Sequence, residues 1–215
     1  MDFNKFKEDL EIALQGPLPG KTAQMKMMAR SSNGNRFNML EQNKGVKIGG
    51  VLLLLYPDNG KIHLPLMKRP DYDGVHGGQI SFPGGKREEQ DDDLIQTALR
   101  EGWEEVGIDR NGVEVIGTLS ELYIIASNFK VLPTIAMARE KPNFTADKFE
   151  VEEIIETSLD HLLKEETRRE KDLLVRNKYQ LRAPYFDVDG HVVWGATAMI
   201  LSEFLEVVSG VFSKR

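Results

Sequence analysis

The chain has 215 residues, 40% of them apolar, enough to bury one sizeable core, and its formal net charge is −6. That acidity supplies no basic surface to hold a polyanionic duplex by counterion release, so nucleic acid is not expected as a partner. A phosphate-bearing ligand would need cations or placed Lys and Arg side chains. With no cysteine in the chain, disulfides, thiolate zinc sites and a cysteine nucleophile are excluded.

Residues 3–14 place Phe3, Phe6, Leu10, Ala13 and Leu14 at helical spacing, and the run Gly16-Pro17-Leu18-Pro19-Gly20 stops that helix. Residues 1–20 are read as an N-terminal helix and linker, and 21–215 as the main domain. Residues 21–46 are polar with scattered Met and a loop at 31–35. A buried strand follows at 46–56, then the hairpin turn Asn59-Gly60 and a second strand at 61–69. Residues 70–93 hold seven glycines or prolines and few apolar positions, which predicts a long loop with at most a short strand at 79–82.

The three aspartates 91–93 can cap a helix that runs to Val106 and closes at Gly107. Strands are predicted at 113–119, 122–125 and 131–138, a helical stretch at 158–171, a hairpin around Asp189-Gly190, and a final helix at 196–208. The first residues lack the basic-then-apolar pattern of a secretory signal, and the strongly apolar run 51–55 is too short to span a bilayer. The expectation is a cytoplasmic monomer or homodimer with no membrane contact.

On the helix over 93–106, Glu101, Glu104 and Glu105 fall within about 100° of each other, while Ile95, Ala98, Leu99, Gly102 and Val106 form a packed face. Acids at such spacing repel by about 0.2–0.5 kcal/mol per pair, which a hard divalent cation would offset. Mg²⁺ suits such a face, because it binds through a few carboxylates plus substrate phosphates. A solvated acidic face is the alternative reading of the helix alone.

The run Arg100-Glu101-Gly102-Trp103-Glu104-Glu105-Val106-Gly107-Ile108, preceded by Ser81-Phe82-Pro83-Gly84-Gly85-Lys86, resembles the Nudix signature. The usual signature has five residues between its glycine and an acid, then seven to the arginine. Counting back from Arg100 puts Asp92 at the acid and Lys86 at the glycine, so Gly85 stands one residue too far. Gly102 replaces a larger apolar residue, and its place on the packed face implies close approach to a strand. The stretch from Lys68-Arg69 through His76-Gly77-Gly78 to Gly85, and the tail 193–198, look like the Nudix subgroup that hydrolyses coenzyme A and its thioesters. Gly74 stands where that subgroup usually carries a second arginine.

The resemblance implies an α/β (α+β) fold, the Nudix α-β-α sandwich with a curled mixed β-sheet. It implies Mg²⁺ or Mn²⁺ held by Glu101 and Glu105, then Glu104, with the Gly84 or Gly85 carbonyl adding a neutral oxygen. Arg100 orients a glutamate, and the general base is Glu104 or Glu150. Lys68, Arg69, Lys86 and His76 are the substrate-binding candidates, and Trp103 and Tyr72 could stack on a base. The implied reaction is metal-dependent cleavage of a diphosphate linkage in a nucleotide substrate, coenzyme A or acyl-CoA first. Nucleotide sugars, dinucleotides, nucleoside triphosphates, or a non-catalytic nucleotide sensor are the alternatives.

Overall fold

The computed structural model describes residues 2–31, 45–71, 77–175 and 179–213. In chain order it forms α1 (Phe3–Leu14), α2 (Gly20–Gln24), β1 (Arg30–Ser31), β2 (Lys47–Asp58), β3 (Lys61–Lys68), β4 (Ile80–Ser81), β5 (Gly84–Lys86) and α3 (Leu94–Val106). There follow β6 (Val113–Thr118), β7 (Leu122–Ile124), β8 (Phe129–Ala138), β9 (Glu153–Ser158), α4 (Leu159–Leu162), β10 (Arg168–Val175), β11 (Tyr179–Val188), β12 (His191–Trp194) and α5 (Gly195–Ser213).

β2 is the central strand of a mixed eight-stranded sheet. It runs parallel to β8 from Lys47 to Leu55, with Leu53 opposite Ile135. Along its other edge it pairs antiparallel with β5 at Gly49–Val51 and with β3 at Tyr56–Asp58. The apolar run of β2 has no polar alternation because both faces are covered. Leu53 and Leu55 face Phe204, Leu205 and Phe6 of the flanking helices, whereas Leu52, Leu54 and Tyr56 face Ala98 and Val106 of α3. The result is helix, sheet, helix, the sandwich expected from the sequence.

The turn Asn59-Gly60 forms as anticipated, with both residues at positive φ. Asp189-Gly190 does the same between β11 and β12, which belong to a separate four-stranded antiparallel sheet with β1 and β10. α5 is long and apolar enough by composition to cross a bilayer, yet 61% of its most apolar window is buried in this fold. Its buried carboxylate Glu203 takes the amide hydrogens of Gly20 and Ser120 and the Gln24 side-chain amide, at 3.2, 3.1 and 2.8 Å.

Two sequence expectations need correction. The helix expected over 158–171 is one turn, α4, capped by the Ser158 hydroxyl, which accepts the His161 amide at 3.2 Å. From Arg168 the chain is instead strand β10, because eight consecutive residues pair with β11, and cross-strand pairing outweighs the helix propensity of this Glu-, Lys- and Arg-rich segment. The loop expected over 70–93 contains β5 as well as the short strand β4, and the loop expected at 31–35 lies, from residue 32 onward, outside the described residues.

Candidate functional site

α3 starts where the sequence indicated. The Asp93 carboxylate accepts the Gln96 amide at 2.8 Å, and Gly107 closes the helix in the left-handed conformation at φ 73°. The helix is seated by missing side chains. A Cβ on Gly50 of β2 would lie 2.2 Å from the Leu94 carbonyl oxygen, and one on Gly102 would lie 2.6 Å from the Leu52 side chain. The close approach inferred for Gly102 is therefore present. Gly49 has the same role on the other side, where a Cβ would lie 2.0 Å from the Gly85 carbonyl oxygen. β2 thus fixes α3 and the glycine pair in one frame.

Arg100 is the hub. It is 4% exposed, and its guanidinium binds the Asp91 carboxylate as a fork, Nε to Oδ1 and Nη2 to Oδ2, both at 3.0 Å. Nη2 also donates to the Lys86 carbonyl at 3.0 Å, and Nη1 reaches Glu104 at 2.8 Å and Glu101 at 2.9 Å. Asp91 is held in turn by the Thr97 hydroxyl and the Glu88 amide, each at 2.9 Å. The Arg100 hydrogen bonds, outweighing burial, lower the Asp91 pKa to about 2. The same contacts, the Asp91 bonds first, hold Arg100 firmly protonated.

Asp91 corrects the sequence expectation, which put Asp92 in this place. Five residues separate Gly85 from Asp91, the usual spacing, so the extra residue of this chain lies between Asp91 and Arg100. Three consecutive aspartates hid the choice. The fork to Arg100 resolves it, with Asp93 consumed as the helix cap and Asp92 exposed.

Glu105 is 2% exposed. One carboxylate oxygen accepts the Gly84 amide at 2.7 Å and the other accepts Arg69 Nη2 at 3.0 Å. Burial pushes its pKa up to about 8, against the pull of Arg69 and the Gly84 amide, and the charges of Glu101 and Glu150 add to the rise. Glu101 is also raised, by burial first, with Arg100 opposing and Glu104 and Glu150 adding. Its carboxylate lies directly on the glycine pair, since a Cβ on Gly85 would sit 2.3 Å from Glu101 Oε1.

Glu150 is brought to this cluster by a pinned loop. The Asp147 amide donates to the Glu105 carbonyl at 2.8 Å, the Glu152 amide to the Lys68 carbonyl at 2.9 Å, and Asp147 caps the turn by accepting the Phe149 and Glu150 amides. Glu150 itself is exposed, as water access would require of a base. Glu104 is half in solvent, with 43% of its side chain exposed.

The remaining candidates divide. Arg69 lies inside the site, on Glu105 and on the Gly84 carbonyl at 3.2 Å. Lys68 is beside it but paired with Glu152 at 2.6 Å. Lys86 contributes its carbonyl to Arg100, while its residue is exposed. Trp103 is 54% exposed, with the Arg110 guanidinium 5.1 Å above its ring. His76, Tyr72 and Gly74 lie outside the described residues.

The donor set suits a hard divalent cation. Burial first, and neighbouring carboxylate charge after it, raises the pKa of Glu105 and of Glu101, a charge excess that a cation relieves, and their oxygens adjoin the Gly84–Gly85 backbone, whose Gly84 carbonyl accepts Arg69 Nη2. Among the described residues no three such groups converge as a metal cluster; Arg69 holds the Glu105 carboxylate and Arg100 those of Glu101 and Glu104.

The NUDIX domain family model matches residues 47–178. The chain is 36% identical over 163 residues to "Nudix hydrolase 15, mitochondrial" of Arabidopsis thaliana, covering 72% of this chain and 56% of that protein. It is 33% identical over 145 residues to the mitochondrial coenzyme A diphosphatase of Mus musculus, covering 65% of this chain and 67% of that protein. The chain spans a little over half the length of the plant relatives it matches. In fold it is similar to the crystal structure of the M. smegmatis Nudix hydrolase RenU, with TM-score 0.51 and 20% identity over 85% of this chain and 95% of that one.

Proposed function

The chain belongs to the Nudix family, and from that premise we propose that it is a divalent-metal-dependent diphosphatase. Its substrate is coenzyme A or an acyl-CoA, cut into (acyl-)4′-phosphopantetheine and adenosine 3′,5′-bisphosphate. The observation that carries the hydrolase reading is the seating of Glu101 and Glu105 on the Gly84–Gly85 backbone, with Arg100 locked behind them. The coenzyme A assignment is supported by the similarity to the mouse coenzyme A diphosphatase and by the subgroup-like stretch from Lys68 to Gly85.

Glu101 and Glu105 would hold the ion, Mg²⁺ or Mn²⁺, and Glu104 and the Gly85 carbonyl would complete the set. Such an ion neutralises diphosphate oxygens and the leaving group. Arg100 orients Glu101 and Glu104, and Asp91 fixes Arg100. A water attacking phosphorus needs a proton acceptor, and among the described residues Glu150 on its pinned loop and the half-exposed Glu104 are the candidates for that role. Lys68, Arg69 and Lys86 are the cations available to substrate phosphates, the 3′-phosphate of coenzyme A included.

A second reading, another nucleoside diphosphate derivative as substrate, is favoured by Gly74 in the place of the subgroup's second arginine. The test is turnover of coenzyme A, acetyl-CoA, ADP-ribose, NADH and nucleoside triphosphates with Mg²⁺ or Mn²⁺, using wild type and Glu105→Gln. Metal-dependent release of adenosine 3′,5′-bisphosphate, lost in the variant, is the expected result. Turnover of another panel member would retain the diphosphatase and discard coenzyme A. A folded protein inactive on every member would sink the enzymatic reading in favour of nucleotide sensing.

A further inference from the structure

Arg69 follows the last residue of β3 and turns a single guanidinium nitrogen onto two oxygens, Glu105 Oε1 at 3.0 Å and the Gly84 carbonyl at 3.2 Å. Its side chain is 22% exposed, against 2% for Glu105. These are oxygens of the kind assigned to the ion above: a signature glutamate and a carbonyl of the glycine pair. A guanidinium N–H shared between a buried carboxylate and a neutral carbonyl does the electrostatic work of a cation there. An ion bound to Glu105 Oε1 and this guanidinium would compete for one carboxylate oxygen. The neighbouring cations are differently placed, since Lys68 is paired with Glu152 and Arg100 is fixed by Asp91.

We propose that Arg69 is the resident counter-cation of the metal site: it holds Glu105 before the ion arrives, gives way when the ion binds, and then offers its guanidinium to the substrate diphosphate. This rests on the metal-binding reading of Glu101 and Glu105. It predicts an affinity change of unusual size. Removing a positive charge normally affects a distant cation only weakly, but here it removes a competitor and leaves a buried carboxylate whose strongest remaining partner is the ion.

The experiment is a calorimetric Mn²⁺ titration of the intact protein as wild type, Arg69→Gln, Arg69→Lys and Glu105→Gln, with the ion-free melting temperature of each. Arg69→Gln is expected to melt lower without ion and to bind Mn²⁺ about tenfold more tightly than wild type, with Arg69→Lys between them. If Arg69→Gln fails to fold without ion, recovery of a cooperative melt on adding Mn²⁺, together with tighter binding by Arg69→Lys, supports the same conclusion. Equal or weaker Mn²⁺ binding by the Arg69 variants, with wild-type binding intact and lost in Glu105→Gln, would overturn the counter-cation role and leave the metal reading standing. Absence of Mn²⁺ binding in the wild type would remove both.

Discussion

Asp91 shows how much a site can depend on a residue that touches neither substrate nor ion. It is 4% exposed and holds Arg100 through a two-point fork, and Arg100 in turn holds Glu101 and Glu104. Replacing it by Asn keeps the shape but removes the charge, leaving a buried guanidinium short of its best partner. Asp91→Asn is expected to lose roughly 2 kcal/mol of stability in urea unfolding at pH 7 and to reduce turnover by misplacing Glu101. The loss also has a pH signature. The Asp91 pKa is about 2 in the fold, below an unfolded value near 3.9, so between these values the unfolded chain binds more protons. The stability Asp91 contributes is therefore full above about pH 4 and disappears as pH falls towards 2. The gap between wild type and Asp91→Asn should close over that window; a gap that stayed constant would show that charge is not what Asp91 supplies.

At the scale of elements, α3 and β2 show what a sequence can and cannot disclose. The acid spacing, the Asp cap and the closing Gly107 specify α3 almost to the residue, because each is a local rule of helix geometry. The leucine run of β2 marks a strand buried on two faces for the same reason. β10 was hidden because its strand character comes from β11, a partner later in the chain, while its own residues favour helix. β5 was hidden because Gly84 and Gly85 carry no side chains to show alternation; their strand pairing comes from Gly50 and Val51. Within the site, the helix acids and the glycine pair were legible, whereas the choice of Asp91 over Asp92 and the seating of Arg69 on Glu105 depend on tertiary contacts.

The same frame separates two glycines that look alike in sequence. A methyl group on Gly50 meets the Leu94 carbonyl at 2.2 Å and the Ala98 amide nitrogen at 2.9 Å, both backbone of α3, whereas on Gly102 it meets the movable end of Leu52 at 2.6 Å. Gly50→Ala should force the helix off the strand and cost about 3 kcal/mol with loss of activity. Gly102→Ala should be near neutral, since about 1 kcal/mol of helix propensity offsets the side-chain shift. Chemical denaturation of the two variants side by side decides the matter; similar losses would mean that α3 is not held by backbone contact at Gly50.

For the whole molecule, the first helix is not an appendage in its packing. Phe6 and Leu10 are fully buried in the core cluster that contains Leu53, Phe204 and Leu205, and the Phe6 ring lies 5.8 Å from that of Phe212. Glu203 adds a polar tie by receiving the amides of Gly20 and Ser120. Phe6→Ala is expected to cost about 3–5 kcal/mol and to lower the midpoint of one cooperative transition seen alike by near-UV and far-UV circular dichroism. Two separate transitions would instead mark residues 3–14 as an independently melting unit.

The parallel pairing of β2 with β8 also governs when the protein can assemble. Leu53 must wait for Ile135, so during synthesis an apolar strand emerges long before the partner that covers its edge, and Arg69, Gly84 and Glu105 all lie on the chain between them. Such long-range closure is intrinsically slow and leaves the nascent segment prone to association with other chains. The central strand that later gives the diphosphate site its rigid footing is thus, for the unfinished chain, its most exposed hazard.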